Sequence, residues 1–349
     1  MSAALHRGTA SPRRQVNRLS PGHPAALRSG HDTPCPVCGG EGTPPRSATA
    51  RIGRSAEYRT LLCGACGLRF AAPMEAPGAS WYATSRLYAR RRARPPHGPA
   101  FRPDWRHRMF GRLPVRSGAR LLDVGCGDGG FLVWAAALGY SVCGIDADPH
   151  AIAAAQSARS VVAVSVASAE AFARGGGEGR YDVICLFDVL EHLADPVSVL
   201  RGLAAQLTPE GSIVCTVPSR LRWPRWFLRQ VDEPPHHLTL WTPAALQHAF
   251  RRAELEADIQ SSPLVPEHLV DQLAGRWPSL KSGTPAARVL LGMLSLVAAP
   301  AVSWLLARIN PQAGGFTLFA VGHRCSRTAL AGHPLPVGQA EPQPVEETP

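Results

Sequence analysis

Three groups of residues in this 349-residue chain have types and spacings that do chemistry. In ARLLDVGCGD, Ala119 to Asp128, a short apolar run leads into Asp123, Gly125, Gly127 and Gly129, a D-x-G-x-G-x-G pattern. Glycine is needed where a chain turns sharply beneath a ligand, because only a residue without a Cβ takes the backbone angles and allows the close approach. The next apolar run, Ser141 to Ile145, ends in Asp146, about 20 residues beyond the glycines, where a carboxylate can accept both hydroxyls of a ribose. Together they suit a ligand built on adenosine. The spacing differs from the G-x-G-x-x-G of dinucleotide sites, and there is no G-x-x-x-x-G-K-[ST] phosphate loop.

The second group is CPVCGG, with Cys35 and Cys38, and CGACG, with Cys63 and Cys66, separated by 24 residues. Each C-x-x-C can chelate from a tight turn, the glycine after its second Cys permits that turn, and four thiolates match tetrahedral zinc in a structural role. A pair of redox dithiols lacks a thioredoxin-like setting here. A disulfide framework conflicts with the expectation of a cytoplasmic chain without a signal peptide. The third group is DEPPHHL, in which His236 and His237 follow two prolines within a segment rich in Trp and Arg, Ser219 to Pro243. An imidazole there can take a proton from a hydroxyl near neutral pH, or can simply hold the loop through a backbone carbonyl.

The elements that must position these residues follow from apolar runs at Arg120–Val124, Val142–Ile145, Val161–Val166, Val183–Phe187 and Ile213–Val217, which alternate with helix-like segments such as Phe131 to Gly139. That is the pattern of a parallel sheet covered on both faces, whose ligands sit at the carboxyl ends of the strands. Asp123, Asp146 and Asp188 all fall at such ends and should converge on one crevice, although a single aspartate there could merely cap the following helix. The segment after Ile213–Val217 leaves the same end of the sheet and can roof that crevice.

At these residues the chain resembles the class I S-adenosylmethionine-dependent methyltransferases. The resemblance rests on the glycine turn, on YDVICLFDVLEHLADP (Tyr181 to Pro196) with its D-x-x-E-H signature, and on LTPEGSIVCTVP (Leu207 to Pro218). It covers roughly residues 118 to 260 plus a final strand near Phe316 to His323. It implies an α/β fold: a doubly wound, seven-stranded, Rossmann-like sheet, here preceded by a small N-terminal zinc ribbon. It also implies that S-adenosyl-L-methionine is held by Asp123, Gly125, Cys126, Gly127 and Gly129 at its methionine part and by Asp146 at the ribose. Ser168 and Ala169 would lie beside the adenine, although the family commonly has an aspartate where this chain has Ser168. Asp188, Leu190 and His192 would floor the boundary with the acceptor, Glu191 and His192 would open the next helix, and His192, His236 and His237 are the candidate catalytic groups. The D-x-P-P-H-H-L segment is similar to one shared by many small-molecule methyltransferases.

The expected layout is a disordered basic arm over 1–31, the zinc-binding ribbon over 32–75, a helical or basic linker over 76–117, the methyltransferase domain over 118–326 and a disordered tail over 327–349. Within the domain, 263–314 reads as an insertion. Its stretch 289–307 is uncharged for 19 residues, long enough only just to span a bilayer, and reads as a peripheral membrane contact, a lipid-substrate contact or a buried helix pair.

The net charge of +11 arises in the first 118 residues, where 20 Arg face five acids. A run such as Arg86 to Gly98 could track a phosphate backbone, but 36 Arg against one Lys also fits a GC-rich coding bias. The expected acceptor is an oxygen, or a carbon, of a small, sugar-linked or lipid-linked metabolite. An RNA acceptor is the alternative, against which the fourth strand lacks the [DN]-P-P-[YF] motif used to hold a flipped base. A scaffold with a degenerate pocket would not keep the glycine turn intact.

Overall fold

The computed structural model describes residues 33–45, 58–77, 81, 101–158, 162–175, 181–222, 232–262, 293, 308 and 315–324. The expected basic arm, the arginines at 90, 91 and 92, the insertion with its uncharged stretch (Met293 and Arg308 apart) and the tail lie outside the described residues.

Two sheets organise the described chain. A small antiparallel ribbon is formed by β1 (Gly42–Thr43), β2 (Arg59–Cys63) and β3 (Arg69–Ala72). The large sheet contains β4 (Arg120–Val124), β5 (Ser141–Asp146), β6 (Ala163–Val166), β7 (Tyr181–Phe187), β8 (Leu207–Pro218), β10 (Leu255–Ser261) and β11 (Thr317–Arg324), in the order β10-β11-β8-β7-β4-β5-β6. The five strands from β6 to β8 in that order are parallel, and β11 runs antiparallel between β8 and β10. The doubly wound sheet expected from the sequence is present, with β8 starting six residues earlier than its apolar run because the ladder continues through Leu207 to Ser212. The remaining strand, β9 (Thr239–Leu240), lies in sequence among the elements of the large sheet but pairs with β3, so the ribbon sheet has the order β1-β2-β3-β9.

Helices α1 (Trp105–Phe110), α2 (Gly130–Ala137), α3 (Pro149–Ala158), α4 (Ala169–Gly175), α5 (Pro196–Ala204) and α6 (Pro243–Arg252) cover the large sheet. Strand residues alternate between two cores, as the two-residue period of a pleated sheet requires. Leu121, Val183, Cys185, Phe319 and Val321 pack with Phe110, Phe131 and Leu132, while Leu122, Ile184, Leu186, Leu318 and Ala320 pack with Leu200, Leu203, Leu246 and Phe250. The second core is continuous with the ribbon through Val37, Leu61, Leu68 and Phe70.

One boundary differs from expectation. Glu191 and His192 do not open the helix after β7; they form a single 3-10 turn, Leu190–His192. The helix begins at Pro196 because Asp195 accepts from the Ser198 backbone N–H at 3.0 Å and proline is favoured in the first turn.

Candidate functional site

The glycine turn between β4 and α2 is built from left-handed backbone. Gly125, Gly127 and Gly129 have φ of 81°, 54° and 74°, which a residue with a Cβ rarely adopts. Gly125 and Cys126 donate their N–H groups to the Ile145 carbonyl at 2.7 and 3.0 Å, folding the turn over the end of β5. Asp146 completes it, accepting from Gly127 N at 2.9 Å and from Asp148 N at 2.8 Å. A Cβ placed on Gly127 would meet nothing within 4 Å, so the turn faces open space. Cys126 instead turns inward; burial raises its thiol, and only its backbone is offered to a ligand.

Three carboxylates converge around this space. Asp123 is buried at the floor, and burial, followed by the charge of Asp146, pushes its carboxyl well above the ordinary range while Arg106 opposes the shift. Asp188 stands just past β7 with φ of 57°, held by its N–H to the Thr216 carbonyl at 3.1 Å and by the Thr216 hydroxyl donating to Oδ1 at 2.9 Å. From α1, Arg106 pairs with Asp188 and, at 3.1 Å, with Asp104. A buried carboxylate with so little compensation suits a cationic ligand, and open space over a glycine turn beside Asp146 suits its nucleoside. The donor set therefore fits a sulfonium-bearing adenosine derivative. Ser168 caps α4, its Oγ accepting from Ala171 N at 3.1 Å, and Ala169 begins that helix; the Ala167 N–H bonds the Asp146 carbonyl at 3.0 Å and keeps both beside the crevice. Leu190 is fully buried in the core.

The three candidate histidines meet. His192 and His236 have ring centroids 5.0 Å apart, His192 and His237 4.9 Å, and His236 stacks on His237 at 4.7 Å. His192 Nδ1 contacts the His236 carbonyl at 2.6 Å, while both N–H groups of the His236–His237 pair donate to the Glu233 carbonyl. His237 lies between two buried carboxylates, Glu191 Oε1 at 3.9 Å from Nε2 and Asp232 Oδ1 at 3.6 Å from Nδ1. Asp232 is itself clamped by Arg222 at 2.8 Å. Burial, and next the neighbouring Asp188, drive the Glu191 carboxyl well above its ordinary range. Glu191, His192 and His237 also bring ligand atoms within 4.8 Å of one another, a donor set able to hold a divalent cation.

The four cysteines are brought together as expected, with ligand atoms within 4.8 Å. Cys35 and Cys66 Sγ are 3.7 Å apart and Cys38 and Cys63 Sγ 3.4 Å, far beyond a disulfide and near the ~3.8 Å edge of a tetrahedral zinc-thiolate site. Gly39 and Gly67, after the second Cys of each pair, have φ of 77° and 72°. The Cys66 thiol, hydrogen-bonded to Cys35, lowers the Cys35 thiol below its ordinary range.

Sequence reading missed Arg106, Glu191, Asp232 and the pair Arg69–Glu233, which is buried and 2.5 Å apart. Glu191 stood within the D-x-x-E-H signature and read as a helix-start acid; Arg106 and Arg69 carried no local signal for the site, because Asp188 and Glu233, which they meet there, lie 82 and 164 residues away.

Residues 88–260 match the family described as "Methyltransferase domain". Among curated proteins, the chain is similar to a ubiquinone biosynthesis O-methyltransferase of Cereibacter sphaeroides, 31% identical over 150 residues that cover 40% of this chain and 61% of the relative. It is also similar to the mitochondrial ubiquinone biosynthesis O-methyltransferase of Schizosaccharomyces pombe, 34% identical over 124 residues, 34% of this chain and 45% of that one. The chain thus spans about six tenths of the length of the first of these relatives. Among solved structures it is similar to an S-adenosylmethionine-dependent methyltransferase from Mesorhizobium loti, at 18% identity and a TM-score of 0.44, covering 62% of this chain and 96% of that one. With the glycine turn, the strand-end acids and the strand order in place, residues 88–260 belong to the methyltransferase domain family.

Proposed function

We propose that this chain transfers the methyl group of S-adenosylmethionine to an oxygen of a small-molecule metabolite, with a structural zinc ion in its ribbon. The observation that carries the reading is the buried, under-compensated Asp123 beneath an open glycine turn, next to a histidine cluster at the same end of the sheet. When bound, S-adenosylmethionine supplies an already activated methyl on a positively charged sulfur. Asp123 would offset that ligand's positive charge, Asp188, itself paired with Arg106, would border the site, Asp146 would receive the ribose hydroxyls, and the turn backbone would hold the methionine part. What the protein must then do is align an acceptor oxygen and remove its proton. His237 is the group for the proton: one face of its ring carries His236, and the Glu191 and Asp232 carboxyls stand on either side of its two ring nitrogens and set its orientation. Cys35, Cys38, Cys63 and Cys66 hold the zinc, whose closed four-thiolate shell supports folding rather than chemistry.

The test is to incubate the full chain with methyl-labelled cofactor and a cell extract separated into small-molecule, lipid and RNA fractions. Label entering the small-molecule fraction is expected; label confined to RNA overturns the acceptor assignment. Absence of calorimetric binding of both the cofactor and its demethylated product overturns the reading as a whole.

A further inference from the structure

The ribbon does not merely adjoin the histidine cluster; it shares backbone with it. Leu238, the residue after His237, donates its N–H to the Glu191 carbonyl at 2.8 Å and accepts at its own carbonyl from Ala71 N of β3, also at 2.8 Å. The backbone of this one residue therefore bridges the ribbon and the turn that carries Glu191 and His192. The next two residues are β9, paired with β3 through Phe70↔Thr239 and Arg69↔Leu240. Beside them the Arg69 guanidinium reaches Glu233, whose carbonyl receives the N–H groups of both His236 and His237. Arg69, Asp232, His237 and Thr239 line one small cavity between β3 and the histidine turn. At the other end of β3 the Thr242 hydroxyl donates to the Cys66 carbonyl at 2.6 Å, tying a metal-binding turn to the start of α6.

We propose that the four-cysteine ribbon is the positioning element of the histidine cluster: the thiolate site fixes β3, and β3 fixes His237 and Glu191 through Leu238 and through the Arg69–Glu233 pair. Arg69 and Glu233 are positioning residues in this arrangement, acting through the backbone of the turn rather than on an acceptor. The placement stands on the hydrogen bonds alone, and its consequence for turnover rests on the methyl-transfer reading.

Amide hydrogen exchange on the full chain tests the placement. Stripping the ribbon with a thiol-competing zinc chelator should speed exchange at Ala71, Leu238 and residues 190–193 by about tenfold or more, because these bonds then open with the ribbon. Exchange in β4 and β5 should stay unchanged. Faster exchange confined to the two cysteine turns, with Leu238 still protected, overturns the proposal.

A second arm replaces the buried pair by apolar residues, Arg69→Met with Glu233→Leu, which avoids stranding one charge. This variant should keep its zinc and its affinity for the demethylated cofactor within about twofold, while kcat for label transfer into the small-molecule fraction falls about tenfold, as expected for a displaced catalytic group. A variant with zinc and cofactor affinity intact and unchanged kcat overturns the role of the pair. Wild-type protein that binds cofactor yet transfers no label refutes the methyl-transfer reading instead, and the exchange result then decides the placement by itself.

Discussion

The glycine turn and the histidine cluster lie at the same end of one sheet but are made in opposite ways. The turn is local: Asp123, the glycines and Asp146 span 24 residues, and the bonds that shape it run within them. The cluster is assembled: His192, His236 and His237 come from two separated segments, and Glu233, whose carbonyl receives the N–H groups of His236 and His237, pairs with Arg69 of a third, next to a four-cysteine turn. A local site tolerates change elsewhere in the chain, whereas an assembled site inherits the stability of every segment that builds it.

The largest expected effect breaks the local half. Gly127→Arg puts a side chain on backbone at φ 54°, in the space the turn faces, and should weaken binding of the demethylated cofactor at least ~100-fold, or about 3 kcal/mol, while zinc content stays at one per chain. Isothermal calorimetry with elemental analysis reads both. The converse change strikes the assembled half: Cys63→Ser should release the metal and cost about 4 kcal/mol of stability in chemical denaturation, with the cofactor still bound by the folded fraction. If the ribbon were an appendage, the loss would be confined to its own signal.

Within the cluster, His237→Ala should slow methyl transfer about 100-fold with cofactor affinity unchanged, measured by initial rates of label transfer. His236→Ala should be milder, about tenfold, because its contact to His192 is made by a backbone carbonyl that alanine retains.

The smallest effect concerns Asp123. Its folded carboxyl titrates above the ordinary value, so its neutral form favours the fold below about pH 4, and that contribution is lost as pH rises through the raised value. Asp123→Asn should therefore match the cofactor-free wild type near pH 4 and exceed it by about 1–2 kcal/mol at neutral pH. Urea titrations at several pH values check the sign, and a wild type that gains on the variant as pH rises would contradict it.

The same contrast explains what could be read from the sequence. The strands β4, β5 and β7, the glycine turn and the paired C-x-x-C turns were legible because their signals are contiguous: period, spacing and a glycine after the second Cys. The three histidines were legible as residue types, but their meeting was not, since periodicity tells which face a residue occupies and not which distant residue faces it. Arg69 read as one more arginine in a basic N-terminal stretch; in the fold it is buried against Glu233. The DEPPHHL segment read as a roof over the crevice, yet its continuation is a strand of the ribbon, and nothing in two residues, Thr239 and Leu240, announces a strand. Glu191 read as a helix-start acid because the true cap, Asp195, lies four residues further on.

Because β9 completes a sheet begun at β1, the order of synthesis differs from the order of assembly. The ribosome delivers β3 and the four cysteines before it long ahead of Thr239, and at ~5–20 residues per second the interval is on the order of ten seconds or more. Through that time β3 is an open sheet edge, the kind of surface that pairs with the wrong partner. If the four thiols capture the proposed zinc early, the two cysteine turns and the start of β3 are already fixed when Thr239 arrives, and only the outer edge of β3 is left to be paired.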